Sequence, residues 1–209
     1  MTRIIPTLML LLVAALPASA QDRAVDDSRG AISFIETLAS ETQAIWSDSK
    51  LSSQERSDSF RHIFEQATDI NLLAKGMLGR HYRGLTKAQR TDYMAAMADY
   101  IISEFDQRME QVGFKSLEVV GTKPASGKRG HLFVKTQIMR DDGEPILADW
   151  RVRKKNGSFH IVNLEFEGIN LMIINRDVFS SKVKKNGIDG LIVWLKNQGT
   201  STLTASATK

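Results

Sequence analysis

The sequence predicts an α+β fold: N-terminal helices packed on a curved four-stranded antiparallel sheet, closed by two C-terminal helices. Three observations carry this. Apolar residues recur about every four positions from Ile32 to Met109, then every second position from Lys115 to Phe166. The change falls at Gly113, and the later segments are joined by turn residues, Asp141-Asp142-Gly143 and Asn156-Gly157.

The helical half divides at its caps. Ile32, Ile35, Leu38, Ala39, Thr42 and Trp46 give a first helix over Ser28 to about Asp48. Ser52-Ser53-Gln54-Glu55 is a capping box, in which hydroxyl and carboxylate satisfy each other's free amides, and it opens a helix bearing Phe60, Ile63, Phe64 and Ala67. Asp69 caps a shorter helix through Leu72, Leu73, Met77 and Leu78. Thr86-Lys87-Ala88-Gln89 opens the longest, with Tyr93, Met97, Ile101, Phe105 and Met109 at four-residue steps, and Gly113 ends it.

Four strands follow, at Lys115–Thr122, Arg129–Arg140, Pro145–Lys155 and Ser158–Phe166. Alternation puts Leu132, Val134, Thr136 and Ile138 on one face, with Ile146, Ala148, Trp150 and Val152 beside them. In the fourth strand it puts His160, Val162, Leu164 and Phe166 together. One apolar and one mixed face describe a sheet covered on one side. Leu171–Lys185 and Ile188–Gln198 then read as helices separated by Asn186-Gly187, and the Thr-, Ser- and Ala-rich residues 199–209 as an unstructured tail.

The N-terminus has the secretory pattern: Arg3, an apolar run from Ile4 to Leu16, and Pro17-Ala18-Ser19-Ala20 before polar Gln21. Cleavage is expected after Ala20, because the run is shorter than the roughly 20 apolar residues of a membrane span. Residues 21–198 are then read as one exported, soluble domain. There is no cysteine among the 209 residues, so packing alone must hold it, and thiol catalysis and Cys-ligated metals are excluded. The formal charge of +4, about +3 once Arg3 is removed, gives no argument for nucleic acid.

No catalytic constellation is evident. His62, His81, His131 and His160 have no metal-ligand spacing, and His160 reads as a hydrogen-bonded edge of the core. Neither a nucleophile elbow nor a phosphate-cradling loop occurs. Glu104, Asp106 and Glu110 fall mainly off the apolar face of the long helix, as solvated charges do. No metal or cofactor is expected. The unbranched methionines Met77, Met94, Met97, Met109 and Met172 suit either an ordinary core or an adaptable apolar partner.

Several stretches together resemble the MlaC family of bacterial toluene-tolerance type. They are Met77-Leu78-Gly79-Arg80-His81-Tyr82 with Thr86-Lys87-Ala88-Gln89-Arg90 and Tyr93, then Glu167-Gly168-Ile169-Asn170-Leu171, Arg176 with Phe179, and Gly187-Ile188-Asp189-Gly190-Leu191. The sequence departs from the family's usual pattern at His81-Tyr82, Phe159 and Asn163. The resemblance implies a nuclear-transport-factor-like fold and a periplasmic phospholipid carrier that is not an enzyme. It implies shuttling between an outer-membrane lipoprotein complex and an inner-membrane ABC transporter complex with a substrate-capturing subunit. A hopanoid-related cargo, or a periplasmic hydrolase, are the alternatives.

Such a carrier needs an apolar wall, since burying acyl chains is favourable by about 25 cal/mol per Å². The candidate lipid-binding residues are Met77, Tyr93, Met97, Ile101, Phe105, Val134, Ile138, Ala148, Trp150, Val152, Val162, Leu164 and Leu171. Leu117 and Val119 extend the same sheet face. Arg80, Arg83, Lys182, Lys184 and Lys185 are candidates for a phosphate headgroup or for docking, against the reading of solvated charges.

Overall fold

In the computed structural model the described residues are 18–126, 130–140 and 142–206. Residues 1–17, which hold most of the expected export signal, lie outside them, as does the side chain of Met109. The helices are α1 (Ala18–Ser47), α2 (Ser53–Ala67), α3 (Ile70–Leu78) and α4 (Lys87–Val112), with a 3-10 segment at Gly79–Gly84 before α4. The strands are β1 (Phe114–Pro124), β2 (His131–Arg140), β3 (Ile146–Lys155), β4 (Ser158–Phe166) and β5 (Ile169–Asn170), and α5 (Leu171–Ser206) follows.

The caps act as their chemistry requires. Ser52 and Glu55 exchange hydrogen bonds at the start of α2, and Thr86 and Gln89 do so at the start of α4. Asp69 accepts from the Leu72 amide at 3.0 Å. Gly113 takes the left-handed conformation that ends α4 (φ 60°, ψ 56°) and turns the chain directly into β1.

The sheet is an antiparallel meander in the order β1-β2-β3-β4-β5. It has five strands where periodicity predicts four, because a two-residue strand carries no alternation to read. Glu167 and Gly168, both at positive φ (50° and 74°), make the tight turn that pairs Phe166 with Ile169.

β4 departs from simple alternation. A bulge against β3 shifts the register, so that Val152 faces Ile161 while Trp150 faces Leu164. Ile161 therefore joins Val134 and Val152 in the core, and His160 pairs with Arg153 on the opposite face. The expected alignment of His160 and Val162 with Leu164 is corrected accordingly: one extra residue reverses the phase of a period-two pattern.

The two expected C-terminal helices are the two arms of α5, broken only at Gly187 (φ 69°, ψ −177°). The helix continues to Ser206, in place of the tail expected from Gly199. Gly199 does not stop it. A Cβ there would lie 2.9 Å from Cβ of Asp99, so the missing side chain lets α5 pass close to α4.

Packing is divided. One core joins α3, α4 and α5 around Tyr93, Met97, Phe179, Leu191 and Leu195. A second joins α1 to the sheet through Ala31, Ile35, Val134, Val152 and Ile161. A third, at the other end of the sheet, centres on Ile138, Ile146 and Ala148.

Candidate functional site: an apolar cavity between sheet and helices

Between the helical core and the sheet lies a cavity with about 1350 Å³ free of protein atoms, its open mouth included. Ile35, Leu38, Ala39 and Thr42 of α1 wall one side, with Phe60 and Phe64 of α2. Leu73 and Met77 of α3 and Tyr100, Ile101, Glu104, Phe105 and Arg108 of α4 wall another. Leu117, Ile138, Trp150, Ile161, Leu164 and Phe166 form the sheet wall. Phe60 stacks on Phe105 with centroids 4.2 Å apart, and Trp46 meets both rings edge-on. These aromatic contacts hold the helical wall together without filling the space beside it.

Polar atoms within the sheet wall are mostly bonded inward. Trp150 Nε1 donates to Thr136 Oγ1 at 3.0 Å, and that hydroxyl donates to the Ala148 carbonyl at 2.7 Å. The indole thus meets its one donor requirement and leaves its carbon surface to the cavity. Tyr100 donates to Asn175 Oδ1 at 3.0 Å, and Asn175 donates to the Leu171 carbonyl at 2.9 Å. Burial pushes the Tyr100 hydroxyl up to about 12 and keeps it protonated. At the rim, Arg108 lies 3.4 Å from Glu104, with both side chains partly in solvent.

Of the candidate residues, Met77, Ile101, Phe105, Ile138, Trp150, Leu164 and Leu171 line this cavity. Tyr93, Met97, Val134, Ala148, Val152 and Val162 do not. Tyr93 and Met97 are in the helical core, where the Tyr93 hydroxyl donates to the Ala74 carbonyl at 2.9 Å. Val134 and Val152 lie against α1, Ala148 lies in the third core, and Val162 is buried off the cavity.

The split on α4 has a simple geometric cause. Four residues turn an α-helix about 40° beyond a full revolution. The stripe Tyr93-Met97-Ile101-Phe105 therefore spirals from the dry core onto the cavity wall.

None of Arg80, Arg83, Lys182, Lys184 and Lys185 lines the cavity, and Lys182 rests 4.7 Å from the Trp194 ring. The cation that does is Arg108, which sequence reasoning missed. Glu104, read as a solvated charge, is beside it on the wall. Also missed were the lining residues Phe114, Phe166 and Asn175, and the buried polar Asn163. Just past the bulge, consecutive Asn163 and Leu164 both line the cavity, where strict alternation predicts only one of them. The histidines stand apart from it, and among the described residues no three of His, Asp and Glu gather as a metal site.

The recurring sequence elements turn out to shape the frame of the cavity. Gly79 (φ 56°) ends α3, and Arg176 Nε donates to the Gly76 carbonyl at 2.8 Å. Phe179 fills the helical core, and Asp189 accepts from Gln89 at 2.9 Å across to α4. Glu167 joins the start of β3, its amide donating to the Leu147 carbonyl at 2.9 Å.

A meander sheet and helices enclosing an open apolar cavity define an α+β protein of the nuclear-transport-factor-like type. The chain belongs to the MlaC family, whose model, described as MlaC protein, matches residues 36–197. Its fold is also similar to that of a phospholipid-binding protein from Ralstonia solanacearum, solved in complex with a phospholipid. The two are 18% identical, with a TM-score of 0.69, over 82% of this chain and 97% of the other.

Proposed function

We propose that this protein is a periplasmic phospholipid carrier that works by non-covalent binding. The observation that carries the reading is the cavity itself: an apolar space open at a rim whose cation is Arg108. Acyl chains entering it leave water, and the phosphate stays at the mouth within reach of a guanidinium suited to it. Membership of the MlaC family and the phospholipid in the Ralstonia solanacearum protein support the same reading.

The wall contacts assigned to lipid are Met77, Ile101, Phe105, Ile138, Trp150, Leu164 and Leu171, joined by the aromatic rings of Phe60, Phe114 and Phe166. The secretory pattern of residues 1–20 supports export, with cleavage after Ala20 freeing the carrier to diffuse. Its proposed partners are an outer-membrane lipoprotein complex and an inner-membrane ABC transporter complex with a substrate-capturing subunit. Exposed Ile169, Ile173 and Ile174, next to rim residue Leu171, are apolar surface suited to such docking.

The deciding experiment is to purify the mature protein from a bacterial periplasm and identify extracted lipid by mass spectrometry. Near-stoichiometric phospholipid is the expected result. Protein that is natively folded yet lipid-free, and that takes up none from vesicles, would overturn the proposal.

A further inference from the structure

Two polar side chains on the cavity wall stand out from the apolar lining. Asn163 and Thr42 are each only 5% exposed, and both border the cavity. Among the described residues neither side chain has a hydrogen-bond partner, although the neighbouring Trp150, Thr136, Tyr100 and Asn175 are all paired. Both residues border the cavity, so their polar groups are left to whatever fills it, and an occupant that displaces water without offering a hydrogen bond leaves them unsatisfied. Asn163 follows directly on the β4 bulge, and it lines the cavity together with Leu164 although the two pair with the consecutive residues Arg151 and Trp150.

We propose that Asn163 and Thr42 form a hydrogen-bonding subsite inside the cavity for an oxygen carried by the lipid, distinct from the phosphate contact at Arg108. This rests on the carrier reading and specifies its cargo. The ligand is a lipid with a hydrogen-bonding oxygen below the headgroup, either a hydroxyl on an acyl chain or the carbonyl of an ester linkage. The Asn163 amide can donate to either oxygen and accept from the hydroxyl, and the Thr42 hydroxyl has the same two capacities. An apolar chain alone leaves both groups unsatisfied when it displaces water from them.

Three phospholipids with one headgroup and equal chain lengths test this: a plain diester, a plain diether, and a diester bearing one 3-hydroxyacyl chain. Each competes with a fluorescent phospholipid for the delipidated mature protein. The wild type is expected to prefer the hydroxyacyl lipid over the plain diester, or the diester over the diether, by about threefold to tenfold. Which preference appears identifies the oxygen. In Asn163→Leu the affinities for the three lipids should converge, and the empty variant should melt no lower than wild type. Thr42→Val serves as a second variant, should Asn163→Leu fail to fold. Equal wild-type binding of all three lipids, or a preference that survives in the folded variants, overturns the subsite and leaves the carrier reading intact. Binding of none of them overturns the carrier reading and the subsite with it.

Discussion

The carboxylate of Asp69, at the N-terminus of α3, receives the guanidinium of Arg153 from β3, with Lys155 Nζ at 3.7 Å. The same carboxylate accepts from the Leu72 amide, and the Asp69 amide donates to the Ile161 carbonyl at 2.9 Å. One residue thus caps a helix and fastens it to the edge of the sheet. Burial acts to raise the pKa of Asp69. The Leu72 amide and the charges of Arg153 and Lys155 outweigh it and hold the carboxyl below its ordinary range. A carboxyl whose folded pKa is depressed stabilises the fold above its unfolded pKa, and that contribution fades as pH falls through the folded value. Asp69→Asn should therefore lower stability at pH 7 by about 2 kcal/mol. The difference from wild type should shrink below about pH 4 in urea melts taken across pH.

Tyr93 lies in the helical core, off the cavity. Its hydroxyl ties α4 to the Ala74 carbonyl, away from the cavity wall. Tyr93→Phe should lose about 1 kcal/mol of stability in denaturant melts. Its lipid content after purification should match that of wild type.

Trp150 has the opposite expectation. An Arg side chain in place of this indole puts a charge into the apolar wall and removes the donor to Thr136. Trp150→Arg should lose retained lipid, and it should lower stability by about 2–4 kcal/mol. Circular dichroism establishes that the variant is folded before mass spectrometry measures its lipid. Full retention in a folded variant would place the cargo on another face of the sheet.

Arg108 is tested at the rim. Arg108→Gln keeps hydrogen-bonding capacity and the bulk of the chain but removes the charge. Binding of an anionic phospholipid should weaken by about threefold to tenfold. Added salt, which screens the wild-type attraction, should have less effect on the variant. An unchanged salt dependence would show that the phosphate lies elsewhere.

Much of the frame was legible because local chemistry sets it. Ser52 with Glu55, Thr86 with Gln89, Asp69 and Gly113 each mark a helix end through groups a few residues apart. Asn156-Gly157 marks a hairpin for the same reason. What escaped was phase and depth. The bulge beside Val152 is a relation between two strands, so nothing in β4 alone announces that Ile161 turns inward and His160 outward. Periodicity also identifies an apolar side chain without saying what it meets. Met97 and Ile101 belong to one stripe, yet one packs in a closed core and the other borders empty space. Arg108 and Asn163 were hidden for the converse reason: polar residues at a cavity's rim or floor look like solvated charges and turn formers.

Because the cavity lies between the helical core and the sheet cores, its occupant is in effect a removable layer of the protein's interior. With that layer present, cohesion between the two halves runs through the occupant as well as through ties such as Asp69 to Arg153. Without it, the halves would be held by such direct ties alone. Calorimetric cooperativity then becomes a gauge of loading, with a single sharp endotherm for the charged molecule and a broader, earlier one for the discharged molecule.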